Sequence, residues 1–157
     1  MAPIRRFEDI EGWKKSRALY QRFSQASSSP AFRSRDLRDQ MRRSAESAMS
    51  NIAEGFDSGS NPEFVRFLKI SDRSLSEFQS HLYVCKDERF LSDRVFDELY
   101  EMAREARTKV GAFIRYLKAH PRGKKCCFPN ELRTPNEPRT PNELGTRNPE
   151  LFKTPQG

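Results

Sequence analysis

The sequence predicts an all-α protein: an up-down-up-down four-helix bundle over residues 1–120, followed by a disordered C-terminal tail over residues 121–157. Three observations lead there. Apolar residues recur at spacings of three, four and seven throughout the first 120 residues. No stretch alternates with period two for long enough to read as a strand. After His120 the composition changes abruptly, and seven of the ten prolines lie beyond it.

Helix one is predicted over Phe7 to Ala26, with Ile10, Trp13, Tyr20 and Phe23 on its apolar face and SSSP (27–30) as its breaker. Helix two spans Ser34 to Glu54. Its stripe is Leu37, Met41, Ser44, Ala45, Ala48 and Ile52, and Gly55 stands where a left-handed helix stop is expected. Helix three begins in SNPEF, where Ser60 and Glu63 have capping-box spacing and Pro62 suits a first turn. Its stripe runs Phe64, Phe67, Leu68, Ser71, Leu75, Phe78, Leu82 and Cys85. Helix four starts after Ser92 as N-cap, lines one face with Val95, Leu99, Met102, Ala106, Val110, Phe113 and Leu117, and ends at Pro121. Four amphipathic helices joined by short turns make an antiparallel bundle, and the a/d-like spacing of the last two suits left-handed packing.

The tail repeats with a period of six: NELRTP (130–135), NEPRTP (136–141), NELGTR (142–147), then a looser NPELFKTP. Six residues are too few for a helical solenoid unit. A hexapeptide β-helix needs an aliphatic residue at one fixed place, but the third position reads Leu132, Pro138, Leu144, and proline breaks the ladder. Such a segment buries too little apolar surface to offset its ordering entropy. It reads as disordered with polyproline character, and as dispensable for folding.

No apolar run is long enough for a membrane span, and MAPIRRFEDIEGW lacks a signal-peptide core, so a cytoplasmic protein without membrane attachment is expected. Cys85 reads as a free packed thiol. Cys126 and Cys127 stand at no zinc-ligand spacing from His81 or His120, so neither a metal site, a cofactor nor a disulfide framework is expected. The net charge of +7 is uneven: residues 1–43 carry 11 Lys/Arg against 5 Asp/Glu, a net of +6, whereas residues 44–120 carry a net of −2. A basic balance favours acidic partners such as nucleic acid.

One stretch stands out. SNIAEG (50–55) follows RRSAESAM and is poor in bulky side chains. It is neither a phosphate loop nor a nucleophile elbow, because its only glycine follows the helix and no strand precedes Ser50. Ser44, Ala45, Ser47, Ala48, Ser50 and Ala53 allow a neighbouring helix close, while Asn51 and Glu54 are expected to anchor the turn or bridge to another helix. SNIAEG with its preceding Arg-Arg-Ser-Ala run, the SNPEFVRFL that follows, the opening FEDIEGWKKSRAL and the segment ISDRSLSEFQSHL together resemble the proteins encoded in 23S rRNA intervening sequences. The resemblance covers about residues 7–118. It implies a four-helix bundle assembling as a homopentamer. It also implies kinship with the accessory variability protein of diversity-generating retroelements, which binds a reverse transcriptase and nucleic acid through a basic surface.

No constellation here demands an enzyme. Glu98, Glu101 and Glu105 share a helix face, but Arg104, Arg107 and Lys109 lie close by and intrahelical pairing explains them. Arg35, Arg38 and Arg42 fall within about 60° of one another on helix two, at 100° per residue. With Lys14 and Lys15 they are the candidate nucleic-acid contacts, sequence-independent and salt-sensitive. No RNA-reading motif of aromatic RNP type is present, so base-specific recognition is not expected. Two functions follow: a non-enzymatic oligomeric bundle that binds RNA or DNA beside a reverse transcriptase or rRNA, or a protein-interaction scaffold whose charge keeps it soluble.

Overall fold

The computed structural model describes residues 4–120; the tail, its hexapeptide repeat, Pro121, Cys126 and Cys127 lie outside the described residues. Four helices form a square: α1 (Glu11–Ala26), α2 (Arg35–Asp57), α3 (Asn61–Asp87) and α4 (Asp93–Ala119). α1 packs on α2 and α4, and α3 packs on the same two, so the helices run up-down-up-down. Among the described residues there is no strand, and no helix is long and apolar enough to cross a membrane.

The predicted stripes of α2, α3 and α4 meet in one core. Met41, Ala45, Ala48, Ile52, Leu68, Leu75, Phe78, Leu82, Leu99, Ala106 and Val110 are all buried. Ser60 and Ser92 cap α3 and α4 by accepting hydrogen bonds from the backbone N–H of Glu63 and Val95, each at 3.4 Å. The predicted box at Ser60 is half made, because the Glu63 carboxylate turns to Arg66 at 2.6 Å. Cys85 is a free buried thiol with its Sγ 3.4 Å from Met41 Sδ, and burial pushes its pKa up to about 12.

Three expectations need correction. Helix one is broken: Phe7–Asp9 form a short 3-10 turn, and the α-helix begins only after Ile10, whose backbone is extended. Asp9 draws the chain into that turn by accepting hydrogen bonds from the backbone N–H groups of Arg5 and Arg6 at 3.0 and 3.2 Å. The buried face of α1 is Gly12, Ser16, Leu19 and Phe23, while Trp13 and Tyr20 are only half-buried.

The third correction concerns Gly55. It is no left-handed stop, for α2 runs through it to Asp57 and no described glycine has positive φ. Its role is close approach. A Cβ added there would come within 2.8 Å of Phe67 Cβ and of Phe64 Cε2. The rest of the small-residue run is spent on the same seam. Ser71 donates to the Ala48 carbonyl at 2.9 Å, and the Ser47 and Ser74 hydroxyls meet at 3.0 Å. Asn51 bonds back to the Ser47 carbonyl of its own helix at 2.7 Å. Ser50 and Glu54 are exposed.

One core residue comes from a loop. Phe32, in the α1–α2 connection, is 1% exposed and packs on Phe23 and Phe90 at 5.9 and 5.3 Å between ring centroids.

Gly55→Ala is expected to lower unfolding free energy by about 1–3 kcal/mol, as overpacking does. Gly59→Ala, whose Cβ would meet nothing within 4 Å, should cost under about 0.5 kcal/mol. Urea denaturation of the two variants checks this, and equal losses would refute a close-approach role for Gly55.

Candidate nucleic-acid interface

The bundle uses some of its charges for folding and leaves others spare. Arg22 grips Glu98 through two hydrogen bonds of 2.7 Å, and Lys15 meets Glu105 at 2.7 Å. Both pairs cross from α1 to α4. They hold the Glu98 and Glu105 carboxyls below their ordinary value, and Glu98 and Glu105 are therefore paired between helices, where intrahelical pairing was expected. Glu101 does pair within its helix, with Arg104 at 2.6 Å. Arg107 crosses from α4 to α3: its Nε donates to Asp72 at 2.9 Å and a second nitrogen to Gln79 at 3.0 Å. Carboxylates held anionic in this way stabilise the fold and are not poised to act as proton donors.

The five predicted contact residues separate into three groups. Lys14 is tied to Glu11 at 2.8 Å and Lys15 to Glu105, so both are already neutralised. Lys15 also faces α4, on the side of α1 away from α2. Arg38 is half-buried in a structural task. It donates to the Phe32 carbonyl at 2.5 Å, lies 5.4 Å from the Phe32 ring centroid, and leaves its Nε buried without a partner. Arg35 and Arg42 are exposed and, among the described residues, in no ion pair. The same holds for Arg43 and, on α1, for Arg17.

Sequence reasoning missed the aromatic partners of these cations. Arg42 lies 5.9 Å from the Tyr20 ring centroid and donates to its hydroxyl at 3.4 Å. Arg17 lies 5.8 Å from the Trp13 centroid. The half-buried Trp13 and Tyr20 therefore belong to the α1–α2 edge, where unpaired guanidiniums rest on aromatic faces. Trp13 and Tyr20 were legible as periodic aromatics, and their distance from the centre of the α1 stripe was the available signal. Asp39 and Glu46 lie on the same side of α2 as Arg42 at helical spacing, which limits the local excess of positive charge. SNIAEG, the motif that prompted a functional reading, packs α2 on α3 and carries no cation.

These roles separate by stability. Arg38→Gln and Arg107→Gln should each destabilise the bundle by about 1 kcal/mol, the first by freeing the Phe32 carbonyl and the second by removing an interhelical clamp. Arg35→Gln should stay within about 0.5 kcal/mol of the parent. Thermal melts of the three variants test the division, and a loss for Arg35→Gln equal to the others would overturn it.

Compared with curated proteins, the chain finds no match. Its residues 8–112 match the profile of the 23S rRNA-intervening sequence proteins. That span runs from the opening 3-10 turn through most of α4 and includes the α2–α3 seam and the α1–α2 edge. The chain belongs to the 23S rRNA-intervening sequence protein family.

Proposed function

We propose that this protein is a non-enzymatic, cytoplasmic nucleic-acid-binding bundle that works as an oligomer, in the manner of an accessory protein to a reverse transcriptase or to rRNA. The observation that carries the reading is the α1–α2 edge. Arg17, Arg35 and Arg42 there are in no ion pair among the described residues, whereas the cations that bridge α1, α3 and α4 are engaged with carboxylates. Unpaired guanidiniums are available to phosphates, and the rings of Trp13 and Tyr20 beside them offer π-faces to unpaired bases. Three cations hold a strand weakly on one chain; a ring of copies repeats them and adds avidity. The family resemblance suggests five copies.

A second reading, a protein-interaction scaffold, draws on another face. Tyr83 is 50% and Val84 44% exposed on α3, and Tyr83 packs on Phe96 and Tyr100 of α4. An aromatic cluster left in solvent suits a protein partner, including a second copy of the chain.

Binding of an RNA or DNA oligonucleotide should be weak per site and should fall steeply with salt, because phosphate contacts release counterions. Replacing Arg17, Arg35 and Arg42 together by Gln should lower the log–log salt slope by about one for each phosphate no longer held. The same charge change at the exposed Arg89, Arg94 and Arg115 should leave the slope unchanged. Equal effects would mean that net charge alone acts. No binding by the parent at about 50 mM salt, where phosphate contacts are strong, would favour the scaffold.

Light scattering should give a mass several times the 18.3 kDa chain. A monomer at high micromolar concentration would remove the ring and its avidity together.

A further inference from the structure

At the opposite end of the bundle from Arg35, the chain's entry and the last turns of α4 enclose a groove of about 710 Å³. Its floor is apolar. Ile10 and Phe113 are buried there, and Tyr116, 40% exposed, stands at the rim. Its inner end is tightly closed, for a Cβ on Gly12 would come within 2.9 Å of Val110 Cγ2. A groove between helices that close so tightly is preformed.

The charges around this floor do not cancel. Asp9 accepts from the backbone N–H groups of Arg5 and Arg6 at 3.0 and 3.2 Å, and its charge is met by the Arg6 guanidinium at 3.6 Å. Glu11 is met by Lys14 at 2.8 Å. That hydrogen bond is the main cause holding the Glu11 carboxyl below its ordinary value. Arg5 and Lys109 are exposed, line the groove and, among the described residues, form no ion pair.

We propose that this groove binds a small amphipathic organic anion: an apolar or aromatic body on Ile4, Ile10 and Phe113, with one carboxylate or sulfonate held by Lys109 and Arg5. Each half of the ligand follows from the lining. A neutral apolar molecule gains the floor but leaves the two cations unused. A nucleic-acid strand finds only two cations over an apolar floor, which is poor backing for a run of phosphates. A charge-assisted hydrogen bond at the groove mouth is the difference between anion and neutral body. This site is separate from the α1–α2 edge and stands or falls independently of nucleic-acid binding.

The test uses the full chain and two fluorescent probes with the same ring system: anilinonaphthalene sulfonate and the uncharged phenylnaphthylamine. The sulfonate should bind saturably, one per chain, at least about tenfold tighter than the neutral probe, a gap that one good ionic contact supplies. Ala112→Trp, at an exposed position lining the groove, should abolish both. Lys109→Glu combined with Arg5→Glu, both at exposed positions that tolerate change, should bring the sulfonate down to the neutral probe's affinity and leave the neutral probe unaltered. An RNA duplex should not displace the sulfonate. Unsaturable binding, equal affinity for both probes, indifference to the two charge reversals, or displacement by RNA would each overturn the proposal. A melting curve of Ala112→Trp accompanies the titration, and if that variant unfolds, the charge-reversed pair decides.

Discussion

The close approach of α2 and α3 is the constraint on which the rest of the bundle depends. Over its length α2 presents serine, alanine and glycine where α3 presents Phe64, Leu68, Ser71 and Ser74. Large side chains on one helix need small ones on the other, and hydroxyls at 2.9 and 3.0 Å fix the register between them. A shift of one turn would bring Phe64 against Asn51 or Ile52 in place of Gly55 and move the Ser71 hydroxyl off the Ala48 carbonyl. With those two helices held, α1 and α4 close the square on the other side by a second close approach, Gly12 against Val110, and by the two ion pairs from Arg22 and Lys15.

The seams therefore differ in chemistry. One is small residues and hydroxyls, one is charge against charge, and the α1–α2 edge is arginine against aromatic. The difference bears on function because an arginine in an ion pair is already neutralised, whereas one resting on a ring keeps its formal charge and most of its donors. Formal net charge by segment points to the first third of the chain, but it does not separate Lys15, which is spent on Glu105, from Arg42, which is not.

Periodicity carried most of the helix assignment, because it is a property of one element read against itself. The stripes of α2, α3 and α4, and the caps at Ser60 and Ser92, were legible for that reason. What periodicity does not hold is the identity of the partner. Gly55 reads equally as a helix stop or as a point of close packing until Phe64 and Phe67 are opposite it. Phe32 sits in a stretch of breakers and is still core, because the bundle end needs a plug between Phe23 and Phe90. The break at Ile10 depends on Asp9 bonding backward to Arg5 and Arg6, a local competition that an apolar pattern does not register. At the candidate interface, the α2 arginines were legible as a stripe. The burial of Arg38 and the ring beneath Arg42 were not, since both come from neighbouring elements, whereas Trp13 stands four residues before Arg17 on the same helix.

The start of α3 holds the end of α4. Asn61, 4% exposed, donates its side-chain N–H to the carbonyl of His120 at 2.8 Å, just past the last turn of α4. The end of α4 is therefore fixed beside the α2–α3 turn. Arg35 lies at the far end of α2, about 33 Å away along a 23-residue helix. A fluorophore or a fused domain joined directly after His120 would start at the groove end of the molecule, at the opposite end of α2 from Arg35.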